Sequence, residues 1–309
     1  MGAALLGVFF IFAGYLFYQI YIPINNFPVS HDGQVSLKVT KDENGEQIFE
    51  SLREKGFIRD VFYAKVVSKI FSFSRFYPEE YVFEKPLSTF DIVKIITTRP
   101  PSIAILIPEG FTKKQIGERL TSYIKNFDQK SFIASSSEGY LFPDTYYFYK
   151  SSTNQEILKE FSDKFYQTTY QKFGKVPTSQ QVIIASILER EAKDPEDMKI
   201  ISGIIQNRLA INMALQIDAT VLYGKNIWKS KTIYSDLNSK SDYNTYQKTG
   251  LPIGPISNPG LNAIEAAMNP VKNDYFYYLT GRDGKMYYAK THDEHVKNKL
   301  KYLRYFFML

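Results

Sequence analysis

The pattern of hydrophobic and polar positions divides the 309-residue chain into three parts. An apolar run occupies residues 2–22, short amphipathic segments follow it, and beyond Pro101 the amphipathic segments become longer. The fold class that this pattern predicts is α+β, with an N-terminal transmembrane helix, a small α/β module and a larger mixed α/β domain. The predicted boundaries of these parts are residues 1–24, 33–100 and 101–309.

The apolar run is long enough for a transmembrane helix. At about 1.5 Å per residue it would cross a hydrocarbon core of roughly 30 Å before Pro23 ends it. A cleaved signal peptide is the alternative, but the run lacks a basic flank, and no small-residue cleavage pattern follows Gln19. Tyr15, Tyr18 and Tyr21 would then lie at the membrane interface. We therefore expect an uncleaved anchor.

Local signals predict the elements of the other two parts. Apolar stripes and capping residues indicate helices, whereas alternating apolar residues indicate strands. A β-hairpin is expected around the turn Thr280-Gly-Arg-Asp-Gly284. Asn258 is predicted to cap a helix that has Pro259 in its first turn. The predicted helices are residues 45–56, 61–73, 88–96, 112–120, 154–173, 179–192, 197–209 and 261–268, and the predicted strands are residues 35–39, 81–83, 103–107, 275–279 and 285–289.

Composition narrows the classes of function. Apolar residues make up 44% of the chain and aromatic residues 16%, so a sizeable core is expected and disorder is not. The absence of cysteine excludes disulfides, thiolate metal sites and a cysteine nucleophile. A net charge of +6 favours an anionic neighbour. The lysines are scattered along the chain, however, so nucleic-acid binding is not expected.

Two carboxylates in one predicted helix, Glu189 and Glu191, are the clearest candidates for chemistry. At about 100° per residue they point roughly 200° apart, so they cannot both face one cleft. A carboxyl at the edge of an apolar helix face has a raised pKa, as a general acid requires at neutral pH. The alternatives are a solvated ion pair of Glu189 with Arg190 and a buried structural carboxylate at Glu191.

Two other groups of residues are weaker candidates for a functional site. The segment His292-Asp-Glu-His295 has the spacing of a metal site, but it lies in a charged stretch where solvated histidines are expected. Gly250, Gly254 and Gly260 lie among prolines and not between a strand and a helix, so a phosphate-binding loop is not expected. We predict neither a metal site nor an organic cofactor.

Five ordered groups of residues resemble the MltG/YceG-like family of endolytic murein transglycosylases, from about residue 33 to the end. They are Glu138-Gly-Tyr-Leu-Phe-Pro-Asp-Thr-Tyr146; Ala185-Ser-Ile-Leu-Glu-Arg-Glu191; Asn207-Arg-Leu209; Met213-Ala-Leu-Gln-Ile-Asp-Ala-Thr-Val-Leu-Tyr-Gly224; and Tyr243-Asn-Thr-Tyr246 with Gly250-Leu-Pro-Ile-Gly254 and Ile256-Ser-Asn-Pro-Gly260.

The resemblance implies a lyase with Glu189 as its catalytic acid and base. It would cleave the β-1,4 bond between N-acetylmuramic acid and N-acetylglucosamine without water and leave 1,6-anhydromuramyl ends. The resemblance also implies a LysM-like module in residues 33–100, a single-pass inner-membrane anchor, a periplasmic catalytic domain and peptidoglycan synthases as partners. The residues that it implies for substrate binding are Glu191, Gln216, Asp218, Tyr243, Asn244 and Tyr246.

Two other functions stay open at this point. A muramidase-type hydrolase would use Glu189 with water and would need a second carboxylate, for which Asp218, Asp144 and Glu191 are candidates. A glycan-binding scaffold protein without catalysis is the other alternative. The membrane-proximal module could equally bind glycan or serve as a spacer.

Overall fold

A computed structural model gives the fold, and it describes residues 2–24, 35–40, 42–125, 127–227 and 234–303. The chain divides into two compact units, one made of Met1–Ile103 with Tyr149–Ser151 and the other of Ala104–Phe148 with Ser152–Leu309. Among these residues helices predominate, and the strands form three two-stranded sheets, which pair residues 35–39 with 79–83, 103–106 with 145–148 and 277–280 with 286–289. The predicted α+β class is confirmed.

The first unit has a small α/β core. Strands β1 (Val35–Val39) and β2 (Glu79–Phe83) pair antiparallel, with Leu37 opposite Tyr81. The alternation of their side chains buries one face of this sheet against the helices. The helices of the unit are α1 (Gly2–Tyr21), α2 (Gly45–Glu54), α3 (Val61–Ile70) and α4 (Thr89–Thr97).

The apolar N-terminal run forms helix α1, as predicted. Its C-terminal end belongs to the first unit, because Ile20 is buried in the core of that unit and Arg59 donates hydrogen bonds of 2.7 Å and 2.8 Å to the carbonyls of Ile22 and Pro23. Within the described parts of the chain, we find no helix with the length and apolar character that crossing a membrane requires. The structure therefore does not support the transmembrane part of the predicted fold class.

The second unit is built around three helices that pack together. Helix α11 (Leu261–Met268) packs against α8 (Ser179–Glu191) and α9 (Pro195–Ala210), and their apolar faces form its main core. The other elements of this unit are β3 (Ile103–Leu106), α5 (Lys113–Thr121), α6 (Gln129–Ser135), β4 (Thr145–Phe148), α7 (Asn154–Phe173), α10 (Asp218–Gly224), a 3-10 turn (Tyr234–Asp236), β5 (Tyr277–Thr280), β6 (Met286–Ala289) and α12 (His292–Tyr302).

Several predicted helices and strands are confirmed, and the predicted N-cap of one helix is wrong. The hairpin is present, with Leu279 opposite Tyr287. Thr112 and Thr178 cap α5 and α8 through reciprocal bonds with the glutamine three residues later. Helix α11, however, has Gly260 as its N-cap and not Asn258. The side chain of Asn258 bonds to other parts of the unit, so it does not cap this helix.

Candidate active site

Glu189 lies in the last turn of α8, at the edge of its buried face. Val182, Ala185 and Leu188 are fully buried in the core of the unit, whereas Glu189 is half-buried. Its Oε2 accepts a hydrogen bond of 3.0 Å from the backbone N–H of Gly260, the N-cap of α11. The predicted acid is therefore held by a neighbouring helix and is partly shielded from water.

A buried serine fixes α8 against the loop that carries Gly260. Ser186 Oγ accepts a hydrogen bond of 3.0 Å from the N–H of Ile256, and the carbonyl of Ser186 accepts one of 3.0 Å from the hydroxyl of Ser257. All three residues are essentially inaccessible to solvent. This pairing sets the position of the loop along α8 and so brings Gly260 to Glu189.

A second carboxylate, Glu109, lies on the other side of Gly260. A Cβ built on Gly260 would stand only 1.8 Å from Glu109 Oε1, so the carboxylate occupies the space that any other side chain would need. The next residue, Gly110, has a φ of +74° and packs against Glu189, since a Cβ there would lie 3.5 Å from Glu189 Cγ. The two carboxylates thus flank one glycine.

The pKa of Glu189 is raised above that of an ordinary carboxyl. Burial is the largest cause, because it disfavours the charged form. The N–H of Gly260 acts in the opposite direction, the negative charge of Glu109 raises the pKa again, and the positive charge of Arg190 lowers it. The net effect keeps a proton on Glu189 at a higher pH than usual, as a general acid requires.

Asn258 joins three segments of the second unit around this site. Its Oδ1 accepts hydrogen bonds of 2.8 Å and 2.9 Å from the N–H groups of Gly139 and Leu141. Its Nδ2 donates to the carbonyl of Phe111 at 2.9 Å and to Glu138 Oε1 at 2.7 Å. Because the side chain is fully buried and makes four bonds, it holds the segments in register.

Glu138 is a buried carboxylate that the candidate residues named from the sequence did not include. Besides Asn258, it accepts hydrogen bonds of 2.9 Å from the N–H of Lys113, in the first turn of α5, and of 3.0 Å from the hydroxyl of Tyr223. Burial raises its pKa to about 7, although each of these donors lowers it. It belongs to the first of the five groups of residues quoted above, but nothing in that sequence separates it from a surface carboxylate.

Tyr243 lies beside this buried group. Its ring packs at 4.8 Å, edge to face, against the ring of Tyr223, whose hydroxyl bonds to Glu138. A Cβ on Gly254 would lie 3.1 Å from the hydroxyl of Tyr243, so the glycine gives this hydroxyl room. Tyr243 is half-buried. Contact of Tyr243 with a sugar stays a prediction.

The structure places Asn244 and Gln216 differently from each other. Asn244 is fully buried, and its amide donates to the carbonyls of Leu237 and Ser239 at 2.9 Å and 2.7 Å. It therefore supports its own loop, a position that does not favour contact with a ligand. Gln216 is exposed, has a φ of +48° and donates its N–H to the carbonyl of Thr245 at 3.0 Å, so its side chain is accessible.

Glu191, Asp218 and Tyr246 form a second cluster, with hydrogen-bond partners other than that of Glu189. Tyr246 donates a hydrogen bond of 2.6 Å to Asp218, and Tyr278 donates one of 2.8 Å to Glu191. The pKa of Glu191 is raised by burial first, is lowered by the hydroxyl of Tyr278 and is raised again by the charge of Asp218. The two glutamates of α8 thus have different hydrogen-bond partners, although the charge of Arg190 lowers the pKa of both.

Asp144, a third candidate for a second carboxylate, is engaged elsewhere. It forms an ion pair of 2.6 Å with Lys164 of α7 and accepts a hydrogen bond from the N–H of Thr145. The carboxylate that the structure brings to Glu189 is Glu109, which sequence reasoning missed. The available signal was its place in Pro108-Glu-Gly110, a loop directly after strand β3, because functional residues concentrate on such loops.

The two histidines of the segment 292–295 lie against an aromatic ring. His295 stacks on Tyr277 with ring centroids 5.3 Å apart, and burial lowers its pKa to about 4. Across the described residues, histidine, aspartate and glutamate side chains nowhere gather in groups of three or more that could hold a metal ion.

Comparison with known proteins finds relatives that carry the same name. A Bacillus subtilis protein named endolytic murein transglycosylase is 39% identical over 197 residues, which cover 62% of this chain and 54% of the relative. A Streptococcus pneumoniae protein of the same name is 29% identical over 341 aligned positions, which cover 92% of this chain and 61% of the relative. The chain therefore spans between half and two thirds of the length of these relatives.

A solved structure and a family model agree with these relatives. The crystal structure of a yceG-like protein from Listeria monocytogenes has a TM-score of 0.54 and 30% identity to this chain, with coverage of 85% of this chain and 98% of that one. The model of the YceG-like family matches residues 37–301, which is most of the sequence. The chain belongs to the YceG-like family.

Proposed function

We propose that this protein is an endolytic lytic transglycosylase that cleaves peptidoglycan glycan strands. The observation that carries the proposal is Glu189, a half-buried carboxyl with a raised pKa that is held by the N–H of Gly260. Membership of the YceG-like family and the name of the two relatives, endolytic murein transglycosylase, support it. The proposed substrate is the glycan strand, and the proposed outcome is termination of nascent strands.

The proposed reaction uses one carboxyl twice. Protonated Glu189 donates its proton to the bridging oxygen as the bond from that oxygen to the anomeric carbon of N-acetylmuramic acid breaks. The Glu189 carboxylate then removes the proton from the 6-hydroxyl of the same muramyl residue, and the 6-oxygen bonds to the anomeric carbon. The products are a 1,6-anhydromuramyl end and a free 4-hydroxyl on N-acetylglucosamine. Glu189 ends the cycle protonated, so the proton balance closes.

The environment of Glu189 suits both steps. Burial and the nearby charge of Glu109 favour the protonated form, so the acid persists to a higher pH than an ordinary carboxyl does. The same influences make the carboxylate a stronger base after it has lost its proton. The attacking hydroxyl belongs to the substrate, and such intramolecular attack has a high effective molarity. No metal or organic cofactor takes part in the proposed reaction.

A hydrolase remains a second candidate because of one observation. A glycosidase that uses water normally carries a second carboxylate about 5 to 9.5 Å from the acid. Glu109 shares Gly260 with Glu189 and could serve as that partner. The two reactions differ in their products, since hydrolysis leaves reducing muramyl ends.

The test is mass spectrometry of products released from purified peptidoglycan by the full chain, run beside Glu189→Gln. We expect anhydromuramyl ends from the wild type and none from the variant. Glu118→Gln, which removes an exposed carboxylate from α5, is the matched control and should keep the wild-type activity. Reducing ends would show a hydrolase, and full activity of Glu189→Gln would show that another residue is the acid.

We also propose that residues 1–24 attach the chain to the cytoplasmic membrane, with the second unit on the outer side. The support is the exposed apolar surface of α1, where Phe10, Ile11 and Phe12 are 66%, 75% and 65% exposed. Flotation of the full chain with phospholipid vesicles tests the attachment. Ile11→Lys with Phe12→Lys should abolish flotation, whereas Leu106→Lys, at an exposed apolar position in β3, should not.

The first unit and the partners of the protein are further proposals. We infer from the resemblance that residues 33–100 form a LysM-like module that holds the catalytic unit near glycan. Retention of the full chain on insoluble peptidoglycan, compared with a variant that lacks this module, tests glycan binding. Peptidoglycan synthases of the same membrane are the proposed protein partners, and crosslinking in cells tests that contact.

A further inference from the structure

The pair of carboxylates around Gly260 has a defined geometry. Glu189 Oε2 accepts the N–H of Gly260 at 3.0 Å, and Glu109 Oε1 lies where a Cβ of residue 260 would be, 1.8 Å from its ideal position. Both carboxylates therefore contact the same residue, from its N–H and from its Cα. Glu109 is exposed and Glu189 is half-buried, so the pair is open to solvent from the Glu109 side.

Backbone pairing fixes the place of Glu109. The N–H of Gly110 donates to the carbonyl of Asn258 at 2.9 Å, and the N–H of Asn258 donates to the carbonyl of Phe111 at 2.9 Å. The buried side chain of Asn258 adds a bond to the carbonyl of Phe111. The segment that carries Glu109 is thus tied to residue 258, two positions before Gly260, so the backbone of Glu109 is held beside Gly260 while its exposed side chain stays free to turn.

The charged groups that face Glu189 come from two elements. Glu109 comes from the loop between β3 and α5, and Arg190 comes from α8 itself. Helix α11 presents the N–H of Gly260. Arg190 and this N–H both favour the ionised form of Glu189, so among these groups Glu109 alone opposes ionisation.

We propose that Glu109 is a positioning residue that acts on Glu189 by like-charge repulsion and keeps Glu189 protonated until it meets the glycosidic oxygen. The inference rests on the proposed lytic reaction and deepens it. After Glu189 has given its proton to the leaving oxygen, two negative carboxylates flank Gly260. Their repulsion favours return of a proton to Glu189, and the proton comes from the muramyl 6-hydroxyl as its oxygen bonds to the anomeric carbon. Glu109 itself exchanges no proton.

The test is the pH profile of kcat for the full chain on purified peptidoglycan, followed by release of anhydromuramyl products. In Glu109→Gln we expect the alkaline limb to move to lower pH by about half a unit or more, because a like charge near an acid raises its pKa. On the acidic side of the profile, where Glu189 is protonated in both proteins, the difference in kcat between Glu109→Gln and the wild type should be smallest. Glu109→Asp keeps the charge and should restore the limb, and Glu118→Gln controls for loss of a surface charge.

Two outcomes would overturn the inference. The first is an alkaline limb that stays in place in Glu109→Gln, whatever the size of the activity. The second is a wild type that releases reducing ends which vanish in the variant, because Glu109 would then be the second carboxylate of a hydrolase. Glu109→Ala gives an independent removal of the charge if the glutamine variant folds poorly. Failure of the proposed function alone is distinguishable, since the wild type would then release no products, reducing ends would persist in Glu109→Gln, or Glu189→Gln would stay active.

Discussion

Asn258 donates a hydrogen bond of 2.7 Å to the carboxylate of Glu138, and solvent reaches neither side chain to a significant extent. The pair connects the segment that leads into α11 with the segment that leads into β4, 120 residues earlier in the chain. Since Gly260 follows Asn258 by two positions, the stability of this pair and the geometry of Glu189 are linked.

Replacing Asn258 should lower the stability of the second unit. Asn258→Ala leaves the N–H groups of Gly139 and Leu141 and the carbonyl of Phe111 without their side-chain partner in a buried place. We expect the free energy of unfolding to fall by about 3 kcal/mol, because each buried polar group without a partner is costly. Chemical denaturation measures this change in the free energy of unfolding. Asn262→Ala, at an exposed position of α11, should change little; an equal loss there would refute the assignment.

Glu138 should make stability depend on pH. Its pKa of about 7 in the folded protein lies above the ordinary 4.5, so the folded state keeps a proton that the unfolded state has already released. Stability from this group is therefore complete below pH 4.5 and is lost as pH rises to about 7, by roughly 3 kcal/mol in total. Glu138→Gln should flatten this part of the curve of unfolding free energy against pH. A curve parallel to that of the wild type would contradict the prediction.

Gly260→Ala should change catalysis more than stability. The backbone at residue 260, with φ −79° and ψ 177°, suits alanine, but the new Cβ would displace the carboxylate of Glu109. Because Glu109 is exposed, its side chain can swing away, and the unfolding free energy should change by less than about 1 kcal/mol. The alkaline limb of kcat should move as in Glu109→Gln. Gly14→Ala, which meets no atom within 4 Å, controls for the substitution itself.

Local sequence signals predicted the helix that carries Glu189 well. The cap at Thr178, the buried stripe of α8 and the opposite orientations of Glu189 and Glu191 all depend on residues within one helix. The β-hairpin around residues 280–284 was predicted for the same reason. The α+β class follows from such local patterns and was confirmed, whereas the membrane span is not supported and the LysM-like character of residues 33–100 stays a prediction.

Contacts between distant segments could not be predicted in this way. Glu109 meets Gly260 across about 150 positions of sequence, and nothing near Glu109 marks it as a partner of Glu189. Asn258 was assigned to the cap of α11 because its neighbours suit a cap, but bonds to residues 111, 138, 139 and 141 occupy its side chain. Asn244 was assigned to the substrate for its motif, whereas the structure buries it. Contacts between distant segments decided the first two positions, whereas the bonds of Asn244 stay within its own loop.

The cluster around Glu191 should contribute stability and leave the acid alone. In Tyr278→Phe, Glu191 loses the donor that lies 2.8 Å away, and its pKa should rise further because burial then acts with less opposition. Because the folded-state pKa of Glu191 is raised, the unfolding free energy falls as the pH increases. We expect this fall to be larger in Tyr278→Phe than in the wild type, by about 1 to 3 kcal/mol at pH 8 and by less at pH 5. Activity per folded molecule should persist, since the contacts of Glu189 with Gly260 and Glu109 are unchanged.

Thermal unfolding at both pH values and turnover measure the two effects of Tyr278→Phe, with Tyr277→Phe as the control in the same strand. A loss of turnover in the folded Tyr278→Phe protein would show that the Glu191 cluster serves catalysis as well.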